Sequence, residues 1–467
     1  MVIKRTIIAS VVAALFCVSA RVWADDMQEI RNEIKEIRES YEARIKNLED
    51  RLKAAEAKVT EPQPQGPAAK PASSVANFNP GIGLILSGFY KNLEKDPGTY
   101  SIAGFVRGGE EIGPGERGFS LSESELNVFA NIDPYFYGQL TAAITGKNTV
   151  EVEEAFFKTL ALPAGLSLKG GRFFSGIGYL NEVHAHAWDF VDQPLAYQAF
   201  LGGQFGQNGL QAKWLAPTPV FLEFGIEGGN GRNFPGLARN KNGFNGGAGF
   251  VHIGGDIGES TSWRTGLSYL YHRVKGREFE GESGTFGGIT NSFDGKSKLM
   301  IADGVLKWAP NGNPKETYFK IQGEYFRRKE SGELAFDING DPTVNPFAGS
   351  ASVFSSSQSG WYLQGVYKFL SQWRVGLRYD ELDSGTPNIG LIGQSDAGMG
   401  ITIGDDDFSG LKKYKPKRLS AMIDWNPTEF SRLRLQYSQD KARRDITDNQ
   451  IFIQYIYSLG AHGAHKF

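Results

Sequence analysis

The sequence predicts an all-β fold, a transmembrane antiparallel β-barrel of about sixteen strands, preceded by an α-helical coiled coil. Three observations carry that expectation. From Asn77 onward apolar and polar residues alternate with a period of two. The joints between the alternating segments switch between tight turns and long connections, and five tryptophans gather beside the tight turns.

The chain opens as a secretory signal over residues 1–24: Lys4 and Arg5, an apolar run from Ile7 to Ala20, and Val22-Trp23-Ala24 as a small-residue cleavage site. The run is too short for a spanning helix. Removing the signal takes away Lys4, Arg5 and Arg21, which leaves 47 basic against 52 acidic residues, a net charge of −5. It also removes Cys17, the only cysteine, so disulfide scaffolds and thiolate metal sites are excluded from the mature chain. Nothing in this balance points to nucleic acid.

Residues 25–59 read as a periplasmic coiled coil. Ile30, Ile34, Ile37, Tyr41, Ile45, Leu48, Leu52, Ala55 and Val59 form a heptad seam with one stutter between Tyr41 and Ile45. An isolated helix of this length needs a partner for its seam, so the expected partner is a second or third copy of the chain; a trimer would suit a porin. Residues 60–76, with Pro62, Pro64, Pro67 and Pro71, form a semi-extended linker.

The barrel occupies 77–467. Trp373, Val375, Leu377 and Tyr379 alternate with Arg374, Arg378 and Asp380, and Leu222, Phe224 and Ile226 alternate with Glu223 and Glu227. An apolar face toward lipid and a polar face toward a wet lumen require this pattern. Sixteen segments fit it: 81–91, 118–132, 135–145, 149–160, 165–174, 207–215, 219–228, 245–254, 261–273, 297–309, 315–328, 358–369, 373–380, 416–426, 431–440 and 448–459. Even-numbered segments end in tight turns such as Asp133-Pro134 and Pro427-Thr428, whereas most odd ones end in loops such as 274–296, 329–357 and 381–415. Trp214, Trp263, Trp308, Trp373 and Trp425 all fall near the tight turns on the apolar parity, which predicts an aromatic girdle at one interface. The terminal Phe467 fits an outward-facing last strand.

One connection is unlike the rest. Ser175 to Phe205 is rich in aromatic and aliphatic residues, too apolar for a loop hanging in water, and is expected to fold into the lumen and narrow it. Glu182, Asp189 and Asp192 would shape that constriction. The predicted lumen face carries Glu123, Glu125, Glu223 and Glu227 in its first half and Lys320, Arg374, Arg378, Arg418, Arg432 and Arg434 in its last six strands. Opposed walls of this kind set up a transverse field, and the basic wall would favour anions. His184 and His186 can hold a divalent metal if a carboxylate such as Glu182 joins them, so zinc is the one cofactor the residues allow; hydrogen-bonded structural histidines are the commoner use of such a pair. No catalytic constellation or phosphate loop is evident, and no enzymatic activity is expected.

The run Gly118-Phe119-Ser120-Leu121-Ser122-Glu123-Ser124-Glu125-Leu126, Gly171-Arg172-Phe173 with Gly176 and Gly178, the Asn181 to Leu195 loop and the ending Gly460-Ala461-His462-Gly463-Ala464-His465-Lys466-Phe467 resemble a proteobacterial outer-membrane family. That family is often labelled a zinc-regulated TonB-dependent outer membrane receptor. In layout the chain is also similar to phosphate-selective porins with an N-terminal coiled coil. TonB-dependent receptors place a globular plug ahead of a roughly 22-stranded barrel, and here a coiled coil and linker stand in that place. The expectation is therefore an outer-membrane porin passing small hydrophilic, anionic solutes by diffusion. A receptor for a metal or metal chelate and an envelope-tethering barrel are the alternatives.

Overall fold

The computed structural model describes residues 80–109, 112–146, 149–236 and 242–460, with Lys46, in helical conformation, alone before them. The expected signal, coiled coil and linker, and the closing His462 and His465, lie outside the described residues, Lys46 apart. The barrel belongs to the unit Phe78–Phe467.

Alternation is realised as strands throughout that unit. They run in order as Gly81–Leu93 (β1), the two-part strand Gly118–Leu121 and Ser124–Asn131 (β2), Phe136–Ile144 (β3), Val150–Thr159 (β4), Leu166–Phe174 (β5), Gly206–Leu215 (β6), Phe221–Gly229 (β7) and Gly246–Ile257 (β8). Then follow Thr261–Ser283 (β9), Gly287–Trp308 (β10), Tyr318–Ala335 (β11), Ala351–Leu370 (β12), Trp373–Asp383 (β13), Lys417–Thr428 (β14), Ser431–Lys441 (β15) and Asp448–Gly460 (β16). Each pairs antiparallel with its sequence neighbours, and β1 pairs with β16 from Gly83↔Gly460 to Leu93↔Gln450, closing the sheet. All sixteen expected segments are present. Closure satisfies the backbone groups that an open edge would leave bare.

Two expected loops need correction. Much of 274–296 continues β9 and β10 as one tall hairpin, turning at 284–286, and 329–335 and 351–357 extend β11 and β12. The apolar-out pattern fades there because the exposed face carries charged residues such as Arg273, Lys275, Glu278 and Lys329, which removes the signal that marks a strand.

The wall is inverted relative to a water-soluble protein. On β13, Leu377 is 62% exposed while its neighbour Arg378 is 1% exposed and Asp380 is fully buried. Trp214, Trp308 and Trp425 are exposed on the outside near the short turns, and Trp373 stacks on Trp425 at 6.2 Å between centroids.

Among the described residues apolar packing gathers mainly in two clusters inside and above the sheet, with a small third one of Phe190, Val366 and Met422. One cluster fills part of the lumen and joins Ile177, Leu195, Tyr197 and Phe200 to Phe326, Tyr362 and Leu382 of the wall. A second loop, 94–117, enters this cluster through Tyr100, Ile102 and Phe105, with Phe105 edge-on to Phe200 at 5.4 Å. The other cluster, with Val274, Phe293, Phe336, Phe354, Ile389 and Phe408, is built from the tall hairpin, the upper part of β12 and the 336–350 and 384–416 loops.

Candidate functional site: a loop strapped across the lumen

Between β5 and β6 the chain leaves the wall at Ser175 and returns at Phe205. Its neck is closed by Asn181, whose Nδ2 donates to the carbonyls of Ser175 and Phe205, both at 2.8 Å, while its Oδ1 accepts from the Phe205 N–H at 2.7 Å. Beyond the neck, Glu324 on β11 accepts from the N–H groups of Tyr179 and Leu180 and from the Tyr197 and Tyr362 hydroxyls. Gly178 adopts φ +66°, and a Cβ there would lie 2.4 Å from a Glu324 carboxylate oxygen, so glycine is required for this approach. The loop ends in a single helix, Leu195–Leu201 (α1), buried on all sides. Gly202 stops it in the left-handed conformation, against the Gly108 carbonyl of the other inward loop.

The middle of the loop touches two opposite chemistries. On one side His184 and His186 meet β2 and β4. His184 Nδ1 lies 3.4 Å from a Glu125 oxygen and 3.2 Å from Glu153, His184 Nε2 lies 3.2 Å from Glu154, and His186 Nδ1 lies 2.7 Å from Glu125. Glu153 and Glu154 are adjacent, so a regular strand would aim them at opposite faces. A bulge resolves this: Thr141 pairs with Glu154 and Ala142 with Val152, which leaves Glu153 unpaired in the ladder and lets both carboxylates reach His184.

On the other side the loop meets β11 and β13–β15. Asp189 pairs with Lys320 and, at 3.3 Å, with Arg374. Asp192 pairs with Arg378 at 2.9 Å and Arg418 at 2.8 Å. Arg432 and Arg434 donate to the Trp188 carbonyl, and the Leu195 N–H donates to Asp380 at 2.9 Å. Burial alone would raise the carboxyls of Asp189 and Asp192, which lie on the loop and not in the wall strands. Lys320 and Arg374 outweigh burial at the first and Arg418 and Arg378 at the second, and both are held below the usual carboxylate range.

The residues singled out from sequence therefore divide as follows. Asp189, Asp192 and all six cations of the basic wall come together, in direct ion pairs and hydrogen bonds rather than across open water. Glu125 meets both histidines. Glu182 stands apart from them and pairs with Lys213, which Glu223 shares. Glu227 serves the base of the loop, accepting from the Gly176 N–H at 2.8 Å and from Gln207 and Gln211. Glu123 lies between the two parts of β2, partly buried.

Sequence reasoning missed Glu153, Asn181, Glu324, Asp380, Asp424 and the 94–117 loop. Asp380 and Asp424 sit on lumen parity among the arginines, and that parity was a usable signal. Asp424 bonds Arg434 at 2.7 Å and also meets Arg374, adding a further carboxylate to the basic wall.

No family model matches the chain. Among solved structures it resembles a loop L8 deletion mutant of OmpT, an outer membrane protein of Vibrio cholerae, with TM-score 0.49, 11% identity and coverage of 82% of this chain and 99% of that one. It resembles the outer membrane channel DcaP of Acinetobacter baumannii with TM-score 0.47 and 11% identity, over 83% of this chain and 99% of that one. An uncharacterized protein of Aquifex aeolicus (strain VF5) is 32% identical over 422 residues, which are 84% of this chain and 80% of that protein. By that extent of shared sequence, the chain belongs to the same family as the Aquifex aeolicus protein.

Proposed function

We propose that the chain is a bacterial outer-membrane porin through which small hydrophilic solutes diffuse, with the 175–205 loop as its constriction. The observation that carries this reading is the inverted, closed wall: leucines, tyrosines and tryptophans outside, carboxylates and guanidinium groups inside. Sixteen strands suit a barrel with an aqueous path. A closed barrel with charged residues within and an apolar exterior belongs in a bilayer reached from the periplasm. Oligomerisation through the heptad seam of residues 25–59 is part of the same proposal.

Anion preference follows from the balance at the strap. Six cations, Lys320, Arg374, Arg378, Arg418, Arg432 and Arg434, face five carboxylates, Asp189, Asp192, Asp380, Asp424 and Asp440. The excess positive charge on that side is small, and Glu125, Glu153 and Glu154 line the opposite side of the strap, so the expected anion selectivity is weak.

The test is single-channel current of the purified protein in a planar bilayer under a salt gradient. Steady conductance steps with a reversal potential of weak anion sign support the reading. A double variant, Asp189→Asn with Asp192→Asn, should shift the potential further toward anions. A barrel that inserts and stays silent overturns diffusion, and the tethering reading would then stand.

A further inference from the structure

We propose that Glu125, Glu153 and His184 form a site for one divalent transition-metal ion, which fastens the lumen loop to the β2–β4 wall. This rests on the loop's position across the lumen, and it deepens the porin reading without depending on conduction. One ligand atom from each of the three residues lies within 4.8 Å of the other two. Two of the edges, Glu125 to His184 Nδ1 at 3.4 Å and Glu153 to His184 Nδ1 at 3.2 Å, match the spacing between ligands of a tetrahedral ion bound at about 2.0–2.1 Å, which is roughly 3.3 Å.

The outer contacts are also those a metal site needs. With Nδ1 directed at the ion, the other ring nitrogen of His184 points at Glu154 at 3.2 Å. A carboxylate in that position fixes the tautomer and makes the imidazole a better ligand. The second oxygen of Glu125 is held by His186 Nδ1 at 2.7 Å, so the first oxygen is aimed by a hydrogen bond as well. His186 thus acts as a positioning residue. Two carboxylates and one imidazole suit zinc, manganese or ferrous iron, and the imidazole argues against calcium or magnesium. Three protein ligands leave a fourth position for water.

The bulge at Glu153 is the feature that a purely electrostatic contact does not require. A regular β4 would bring Glu154 to His184 and would turn Glu153 to the lipid face. The irregular ladder supplies the second carboxylate on the same side, with a ligand oxygen within 4.8 Å of one of Glu125.

The experiment is calorimetric titration of zinc chloride into the full folded chain in detergent, after treatment with a chelator, with bound zinc counted by elemental analysis. The expected result is one zinc per chain at this site. Glu153→Gln and His184→Ala should each weaken binding by at least about 10-fold, the usual scale for losing a ligand or its support. His462→Ala with His465→Ala removes the other histidine pair and should leave this binding unchanged. Resistance of the folded barrel to detergent denaturation identifies any variant that failed to fold, and Glu154→Gln, which spares all three ligands, then serves as the second probe with a smaller expected loss. Absence of zinc after titration overturns the site, as does binding unaltered by Glu153→Gln and His184→Ala. A proton shared between His184 and the carboxylates would be the remaining explanation. Conductance is not used in this test, so failure of the site and failure of the porin reading are separable.

Discussion

The loop meets its two walls by different means. Against the basic wall, Asp189 and Asp192 are gripped by Lys320 and three guanidinium groups, which are themselves held by Asp380, Asp424 and Asp440. Guanidinium groups stay charged under all ordinary conditions, and their planar fork matches carboxylate geometry. Against the acidic wall, the same loop offers the imidazoles of His184 and His186 to Glu125, Glu153 and Glu154. The strap thus has one permanent end and one whose strength depends on what the histidines carry. A loop joined to both walls by the same chemistry would have no such difference.

Breaking the permanent end should have the largest effect. Arg378→Ala removes its bond to the Asp192 carboxylate, its bond to the Asp192 carbonyl and the nearer of two guanidinium groups beside Asp380. It leaves two buried carboxylates, Asp192 and Asp380, to share Arg418, at a cost approaching about 3–5 kcal/mol. Urea unfolding of the barrel in lipid vesicles should register that loss, and the channel should become larger and noisier. Unchanged stability would mean that the basic wall does not hold the loop.

Opening the neck tests whether the two ends act on one rigid body. Asn181→Ala deletes three short hydrogen bonds and leaves buried backbone groups unsatisfied, a cost of about 1–3 kcal/mol. Hydrogen exchange at Ser175 and Phe205 should rise while exchange in β13–β15 stays slow. Equal rise in both regions would show that the neck and the basic anchorage are one cooperative unit.

Gly178→Ala sits between the anchorages. A side chain at φ +66° costs about 1–2 kcal/mol, and here it also presses on Glu324. Near-wild-type unfolding would mean that the loop base yields easily. The smallest effect belongs to Glu182→Gln. Lys213 keeps Glu223 as a partner, so a change within about 1 kcal/mol is expected, with little effect on conductance.

The same contrast explains what could be read from the sequence. The sixteen strands were legible because lipid outside and charge inside impose alternation on each. The inward loop was legible because Trp188, Phe190, Tyr197 and Phe200 have no place in bulk water. The two halves of the charge pattern were visible by parity, yet parity does not say that Asp189 would touch Lys320 instead of facing it across a channel. Glu153 was hidden for a sharper reason: a bulge reverses the face of a residue, and nothing in Val150-Glu151-Val152-Glu153-Glu154 marks which position is extra. The tall hairpin was hidden because, above the lipid, neither face of a strand has to be apolar. The inward turn of 94–117 rests on a few residues, Tyr100, Ile102 and Phe105, in an otherwise polar segment.

Chain order gives the strap a history as well as a position. His184 and Glu154 are 30 residues apart and His186 and Glu125 are 61 apart, whereas Val191 reaches Gln436 across 245 residues and Leu195 reaches Asp380 across 185. Contacts close in sequence cost less chain entropy and form sooner. The loop is therefore expected to settle first on β2 and β4, and to gain its arginine partners only when the last strands arrive and β16 meets β1. Insertion of the strap and sealing of the cylinder become a single late event. A chain interrupted before β11 should carry its loop on the histidine side without Lys320, Glu324 or the arginines of the basic wall, which a fluorescence-transfer pair between the loop and β2 would register during assembly.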